Sequence, residues 1–143
     1  MVSGGDSYYL QPEQLRYIGD CLLAIPHIRR FRIATKGICI SPSRTIDLED
    51  TWTDELIRLS NRGRAVGKQV ALHTHFCHPQ EFTWISREAA QKLFQSGVIV
   101  RNQTVLLRGV NDNVHTMSAL IRELADNNIQ PVSSPQNPKT FNG

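Results

Sequence analysis

Gly67-Lys68-Gln69-Val70-Ala71-Leu72-His73-Thr74-His75-Phe76-Cys77-His78-Pro79 is the stretch on which the fold turns. Gln69 to Leu72 is short and mostly apolar, as a strand should be, and it lies between two segments of helical period. Upstream, Leu48, Trp52, Leu56 and Leu59 recur at helical spacing, and Gly63 and Gly67 are expected to close that segment. Downstream, Ile85, Ala89 and Leu93 mark a second helix, with Gly97 suited to the position after its end. A strand held between two helices by short loops implies parallel crossover units, because parallel neighbours cannot be joined by a tight hairpin.

The pattern extends in both directions. Phe31-Arg32-Ile33-Ala34 alternates as a strand, and Pro42 shortly afterwards is expected to rule out helix through that stretch. Before that strand, Pro12 opens a helix over 12–25 whose apolar positions are Leu15, Ile18, Leu22 and Ile25. On the other side, Val98 to Leu107 reads as one more strand. It is followed by the most regular helical stripe in the chain, Val114, Met117, Leu120, Ile121 and Leu124, with Asn111 and Asp112 as candidate N-caps. The expected fold class is α/β, a partial parallel (β/α) barrel. The chain has 143 residues, whereas a whole barrel of eight units takes about 250. The pattern is interrupted at both ends: Met1-Val2 falls on the last residues of a strand, and a strand due near Ile129 gives way after Pro131 to a Ser-, Pro- and Asn-rich run. Residues 1–131 are therefore read as central β/α units and 132–143 as a disorder-prone tail. Half a barrel would leave unpaired strand edges, so an aggregation-prone product is expected.

Composition narrows the functional classes. The net charge is +3 and the pI about 9.0, but the basic residues are scattered, and acidic residues soon follow the one tight cluster, Arg29, Arg30 and Arg32. Nucleic-acid binders concentrate such charge into a stripe, so none is expected as a partner. Cys21, Cys39 and Cys77 are odd in number and far apart, a spacing that builds neither a disulfide framework nor a metal knuckle. No apolar run approaches the roughly 20 residues that cross a bilayer. A soluble, cytoplasmic protein is the expectation.

Sites in parallel β/α folds form at the carboxyl ends of strands, and four such places carry chemistry. At Gly4-Gly5-Asp6, glycines let backbone approach a ligand and Asp6 offers a carboxylate to an ammonium or hydroxyl; an ordinary strand-ending turn would look the same. Thr35 and Lys36 place a hydroxyl and a cation after the second of these strands, suited to a carboxylate or ribose or simply solvated. His73 and His75 share one face of a strand, the spacing by which two imidazoles meet one metal ion in hydrolases; no further ligand is evident, and hydrogen bonding to a ligand or backbone is the alternative. Asn102 and Gln103 are amides in an apolar run. One is expected to face the interior and a polar ligand, and a satisfied core amide is the alternative.

Together Ser3-Gly-Gly-Asp6, Arg32-Ile-Ala-Thr-Lys36, His73-Thr-His-Phe-Cys-His-Pro79 and Asn102-Gln-Thr-Val-Leu-Leu-Arg-Gly-Val-Asn-Asp112 resemble the lysine 2,3-aminomutase family of radical S-adenosylmethionine enzymes. The resemblance runs from residue 2 to about 131, in order and spacing. It implies a barrel of the radical S-adenosylmethionine type. In the family a [4Fe-4S] cluster cleaves S-adenosylmethionine to a 5′-deoxyadenosyl radical. Lysine, held on pyridoxal phosphate, then moves its 2-amino group to carbon 3. By position, Gly4, Gly5 and Asp6 match the turn that meets the methionine amino group. Thr35 and Lys36 match by type, and His75 and Gln103 match positions lining the same cavity. Cys77 stands where the family often has Asn.

The departures are as specific. The family's C-x-x-x-C-x-x-C loop is absent, as is the glycine-rich segment carrying the pyridoxal phosphate lysine, for which Lys139 is no substitute. No catalytic residue and no metal ligand is therefore assigned within this chain. Three readings follow: an inactive central fragment of a lysine 2,3-aminomutase relative, an inactive S-adenosylmethionine-binding module, and a His-x-His metal-dependent hydrolase. A small amino acid, lysine, is the substrate the family implies, and homo-oligomerisation is left open.

Overall fold

The computed structural model describes residues 5–132. In chain order they form a 3-10 turn at Ser7–Tyr9, helix α1 Pro12–Ala24, strand β1 Arg30–Ala34, short helices α2 Gly37–Ile40 and α3 Ser43–Ile46, and helix α4 Trp52–Ala65. Strand β2 Gln69–Thr74, a 3-10 turn at Pro79–Glu81, helix α5 Trp84–Gln95, strand β3 Ile99–Gln103, helix α6 Val114–Asp126 and strand β4 Gln130–Val132 complete the order.

The four strands make one parallel sheet in the order β1-β2-β3-β4. Sequential order without reversal is what consecutive crossover units of one kind produce. The register puts Ala34 beside His73 and His73 beside Arg101, and it aligns Arg101 with Gln130. Because alternate side chains take opposite faces, Phe31, Ile33, Val70, Leu72 and Val100 turn to one side and form a buried core with Leu56, Leu59 and Leu93 of the helices. Arg30, Arg32, Gln69, His73 and Arg101 alternate onto the other face. At the α1 and α4 contact, a methyl on Gly19 would lie 2.4 Å from the Leu59 side chain, so the glycine sets how closely the helices approach.

Several expectations are corrected. Pro42 separates α2 from α3, two short helices that no expectation included, and occupies the N-cap of the second at φ −63°, a value its ring already imposes. Leu48 is 93% exposed and lies ahead of α4, which starts at Trp52. Gly63 is inside α4, where a side chain would meet Val70, and Gly67 at φ +69° makes the turn out. The strand expected to reach Leu107 ends at Gln103 because Asn111 folds the following segment into a loop, donating to the carbonyls of Cys77 and Val105 and accepting from Leu107 N–H. Asn111 is therefore a buried loop clasp, and the cap of α6 is Asn113, whose side chain accepts Thr116 N–H at 2.9 Å. Within the α6 stripe, Leu120 and Leu124 are buried while Val114 and Ile121 are exposed. Val132, assigned to the tail, pairs with Gln103 in β4. Met1, Val2, Ser3 and Gly4, and the remaining tail 133–143, lie outside the described residues.

Candidate functional site

The strand ends of β1 and β2 bring Asp6, Thr35, Lys36 and His75 into one cluster. Asp6 accepts Tyr8 N–H at 2.9 Å, Lys36 N–H at 2.8 Å and the Thr35 hydroxyl, while the Thr35 oxygen accepts Gly37 N–H at 2.8 Å. Its carboxylate thus ties the Gly-Asp turn to the end of β1, and Ser7 adds a bond of 2.9 Å from its hydroxyl to the Ala34 carbonyl. A carboxylate offers about four acceptor positions, so one remains for an incoming ammonium or hydroxyl. Beside it Gly5 holds φ +147°, and nothing lies within 4 Å of where its side chain would begin.

Tyr8 anchors the turn. Its ring packs edge-on against Trp52 with centroids 4.7 Å apart, its hydroxyl bonds Thr45 at 2.5 Å, and Arg44 lies over both rings. A methyl on Gly37 would sit 1.4 Å from the Tyr8 ring, so glycine is required there to seat it. Burial pushes the Tyr8 phenol up, which keeps it protonated.

The Lys36 ammonium donates to the His75 carbonyl at 3.1 Å and to Glu81 at 3.0 Å. The other Glu81 oxygen accepts the N–H groups of Cys77 and His78. Burial acts against the charge of Glu81, but these N–H donors and Lys36 outweigh it and hold its carboxyl below the usual range. Burial likewise opposes the Lys36 charge, and Glu81 outweighs it and raises the ammonium. The His75 imidazole is pushed down, by burial first and then by Lys36. Glu81 and Tyr8 escaped the sequence reading; the His78-Pro79-Gln80-Glu81 capping pattern was the available signal for the first, and Gly37 after a strand for the second.

The two amides separate cleanly. Asn102 is fully buried and satisfied: it accepts Phe76 N–H at 2.6 Å and donates to the Phe76 carbonyl at 2.9 Å. Gln103, one residue on, takes the opposite face at the end of β3.

Whether these residues suit the family's cofactors can be tested group by group. An acceptor position on Asp6 and open space at Gly5 suit the amino-acid portion of S-adenosylmethionine. An iron-sulfur cluster does not fit, since no group of three His, Cys, Asp or Glu side chains is placed for a metal among the described residues. Cys21 is exposed and Cys77 buried, while burial and the nearby Glu81 push the Cys39 thiol up to about 12, the reverse of a thiolate ligand. Pyridoxal phosphate attachment does not fit either. Lys36 is paired with Glu81, while Lys68 and Lys92 donate to backbone carbonyls at 2.7 and 2.9 Å. Lys139 lies outside the described residues. No helix among the described residues is long and apolar enough to cross a membrane.

Fold and cluster together define a parallel β/α protein with its polar groups gathered at the carboxyl ends of adjacent strands. Comparison with known proteins then places it. Over 131 residues, 92% of the chain, it is 38% identical to the L-lysine 2,3-aminomutase of Clostridium subterminale. Over the same length it is 34% identical to the glutamate 2,3-aminomutase of Clostridioides difficile and 35% identical to the L-lysine 2,3-aminomutase of Bacillus subtilis. The match spans 29%, 28% and 26% of those proteins. No family model matches the chain. The chain is thus homologous to one segment, about a quarter to a third, of the 2,3-aminomutases it matches.

Proposed function

We propose that the chain is a set of central units from a radical S-adenosylmethionine barrel of the 2,3-aminomutase kind, and that its strand ends supply part of the S-adenosylmethionine cavity. These units run up to Val132, the last residue of β4. The observation that carries the reading is the clasp of Asp6 on Thr35 and Lys36, which brings together residues of two separate motifs through which the chain resembles the family. In this reading Gly4, Gly5 and Asp6 receive the methionine amino group. Thr35 and Lys36 fix the carboxylate of Asp6, and His75 and Gln103 line the cavity from the next two strands. S-adenosylmethionine supplies the radical in such enzymes. This chain contributes binding and orientation only, and migration of an amino group on lysine belongs to a protein that also carries the cluster and pyridoxal phosphate attachment.

The hydrolase reading is disfavoured by charge. Burial first, and then Arg32 and Arg101, depress the His73 imidazole, and the same two cations repel a divalent metal. Calorimetry of the 143-residue chain with S-adenosylmethionine tests the proposal: saturable heat that Asp6→Ala removes, with the fold retained by circular dichroism, supports it. Absence of heat up to millimolar ligand overturns it.

A further inference from the structure

The face of the sheet turned away from the helices carries a second feature, set back from the strand ends. A cleft of about 450 Å³ opens there, with Arg30, Arg32, Gln69, His73 and Arg101 in its lining and no carboxylate among the described residues that line it. The register explains the crowding. His73 of β2 lies directly beside Arg101 of β3, and Arg32 of β1 is the diagonal neighbour of His73, so three cationic or ionisable groups meet across three adjacent strands.

Arg101 reaches back along the sheet rather than toward the strand ends. Its guanidinium donates to the side-chain oxygens of Gln69 at 3.2 Å and Gln130 at 3.4 Å. Both are neutral amides, and the ion pairs among the described residues include neither Arg30 nor Arg101. His73 is only 9% exposed, yet its buried Nδ1 has no hydrogen-bond partner among the described residues. A buried imidazole nitrogen left in that state costs free energy, and so does massed positive charge over a low-dielectric sheet. One oxyanion relieves both: it presents acceptors to the planar guanidinium forks and to a protonated Nδ1–H, and it offsets the cations that, after burial, disfavour a charged His73.

We propose that this cleft binds a small oxyanion, of phosphate or carboxylate type, between Arg101, His73 and Arg30. The site is separate from the Asp6 cluster and does not depend on the reading given to that cluster. Nothing covalent happens there; the ligand is held by charge-assisted hydrogen bonds.

Inorganic phosphate and acetate are the probes, the first read by broadening of its ³¹P resonance and the second by saturation transfer, each at fixed ionic strength set with sodium chloride. Saturable binding of at least one of them, accompanied by a rise in the melting temperature of the chain, is expected; the stronger of the two identifies the ligand type. Arg101→Gln should weaken binding at least tenfold, Arg101→Lys should restore part of it, and Lys36→Gln should leave it unchanged. As a readout independent of any variant, the titration midpoint of His73 followed by NMR should rise when the anion is bound. The proposal is overturned if chloride alone reproduces the broadening and the thermal shift. It is equally overturned if neither probe moves the melting temperature and the His73 midpoint, or if Arg101→Gln binds as well as the parent.

Discussion

Lys36 and Glu81, 45 positions apart in the chain, meet at 3.0 Å and lock the end of β1 to the turn that follows β2. Glu81 spends its second oxygen on the backbone of Cys77 and His78, so one side chain fixes the loop that carries His75. Removing it in Glu81→Ala leaves two N–H groups without their acceptor and the Lys36 ammonium with only the His75 carbonyl. The pair is partly solvent-screened, so a loss of about 1–3 kcal/mol is expected, mostly from the backbone groups. Glu81→Gln, which keeps one acceptor oxygen, should lose less. Urea denaturation of both variants checks the order.

Gly37→Ala places a methyl on the Tyr8 ring. Overpacking of this kind costs about 1–3 kcal/mol, and more where the neighbour has no room to yield. Tyr8 sits against Trp52, so displacing it should also change the near-ultraviolet circular dichroism and the tryptophan emission. A variant with parent stability and spectra would show that Tyr8 is not seated there.

Asn102 holds both backbone groups of Phe76 in a fully buried position. Asn102→Leu leaves the Phe76 N–H unpaired and its carbonyl with only the Thr104 hydroxyl at 3.2 Å, at a cost of about 1–3 kcal/mol. The expected result is a melting temperature well below that of Gln103→Leu, the neighbouring change on the open face.

Acid should weaken the fold in two stages. His73 and His75 have folded values below the ordinary 6.5, chiefly through burial, so each binds fewer protons folded than unfolded. The stability they confer by staying neutral is complete above about pH 6.5 and is lost as pH falls through their lower folded values. Glu81 and Glu55 have folded values below 4.5; for Glu55 the hydrogen bond from Arg16 leads, opposed by burial and joined by Arg58. Their share is present above 4.5 and is lost only at more acid pH. Urea midpoints measured from pH 8 to 3 should show both declines, and His73→Gln should shrink the first while sparing the second.

The sequence was most informative where period and chemistry agreed. Phe31 to Ala34 and Gln69 to Leu72 became strands because their apolar side chains had one covered face to enter, and the register then carried His73 to the open face beside Arg101, with His75 just past the end of β2. Leu48 shows the limit of periodicity: its spacing fits α4, but Asp50 accepts the N–H of Trp52 at 2.9 Å and the helix starts four residues later. Val98 to Leu107 shows another, since a side chain eight positions beyond Gln103, Asn111, ends the strand run by a tertiary bond to Cys77. Asp6, Thr35 and Lys36 were legible singly as strand-end groups. Their mutual bonds, and the part played by Glu81, depend on loops whose approach no local pattern encodes.

Hydrogen exchange at low micromolar protein, with and without S-adenosylmethionine, tests the central claim most directly, because it reports binding and location together. The account predicts slowed exchange in peptides covering 5–9, 34–40, 73–81 and 102–105, saturating with ligand and absent in Asp6→Ala. No ligand-dependent slowing, or slowing confined to segments away from these strand ends, would contradict it.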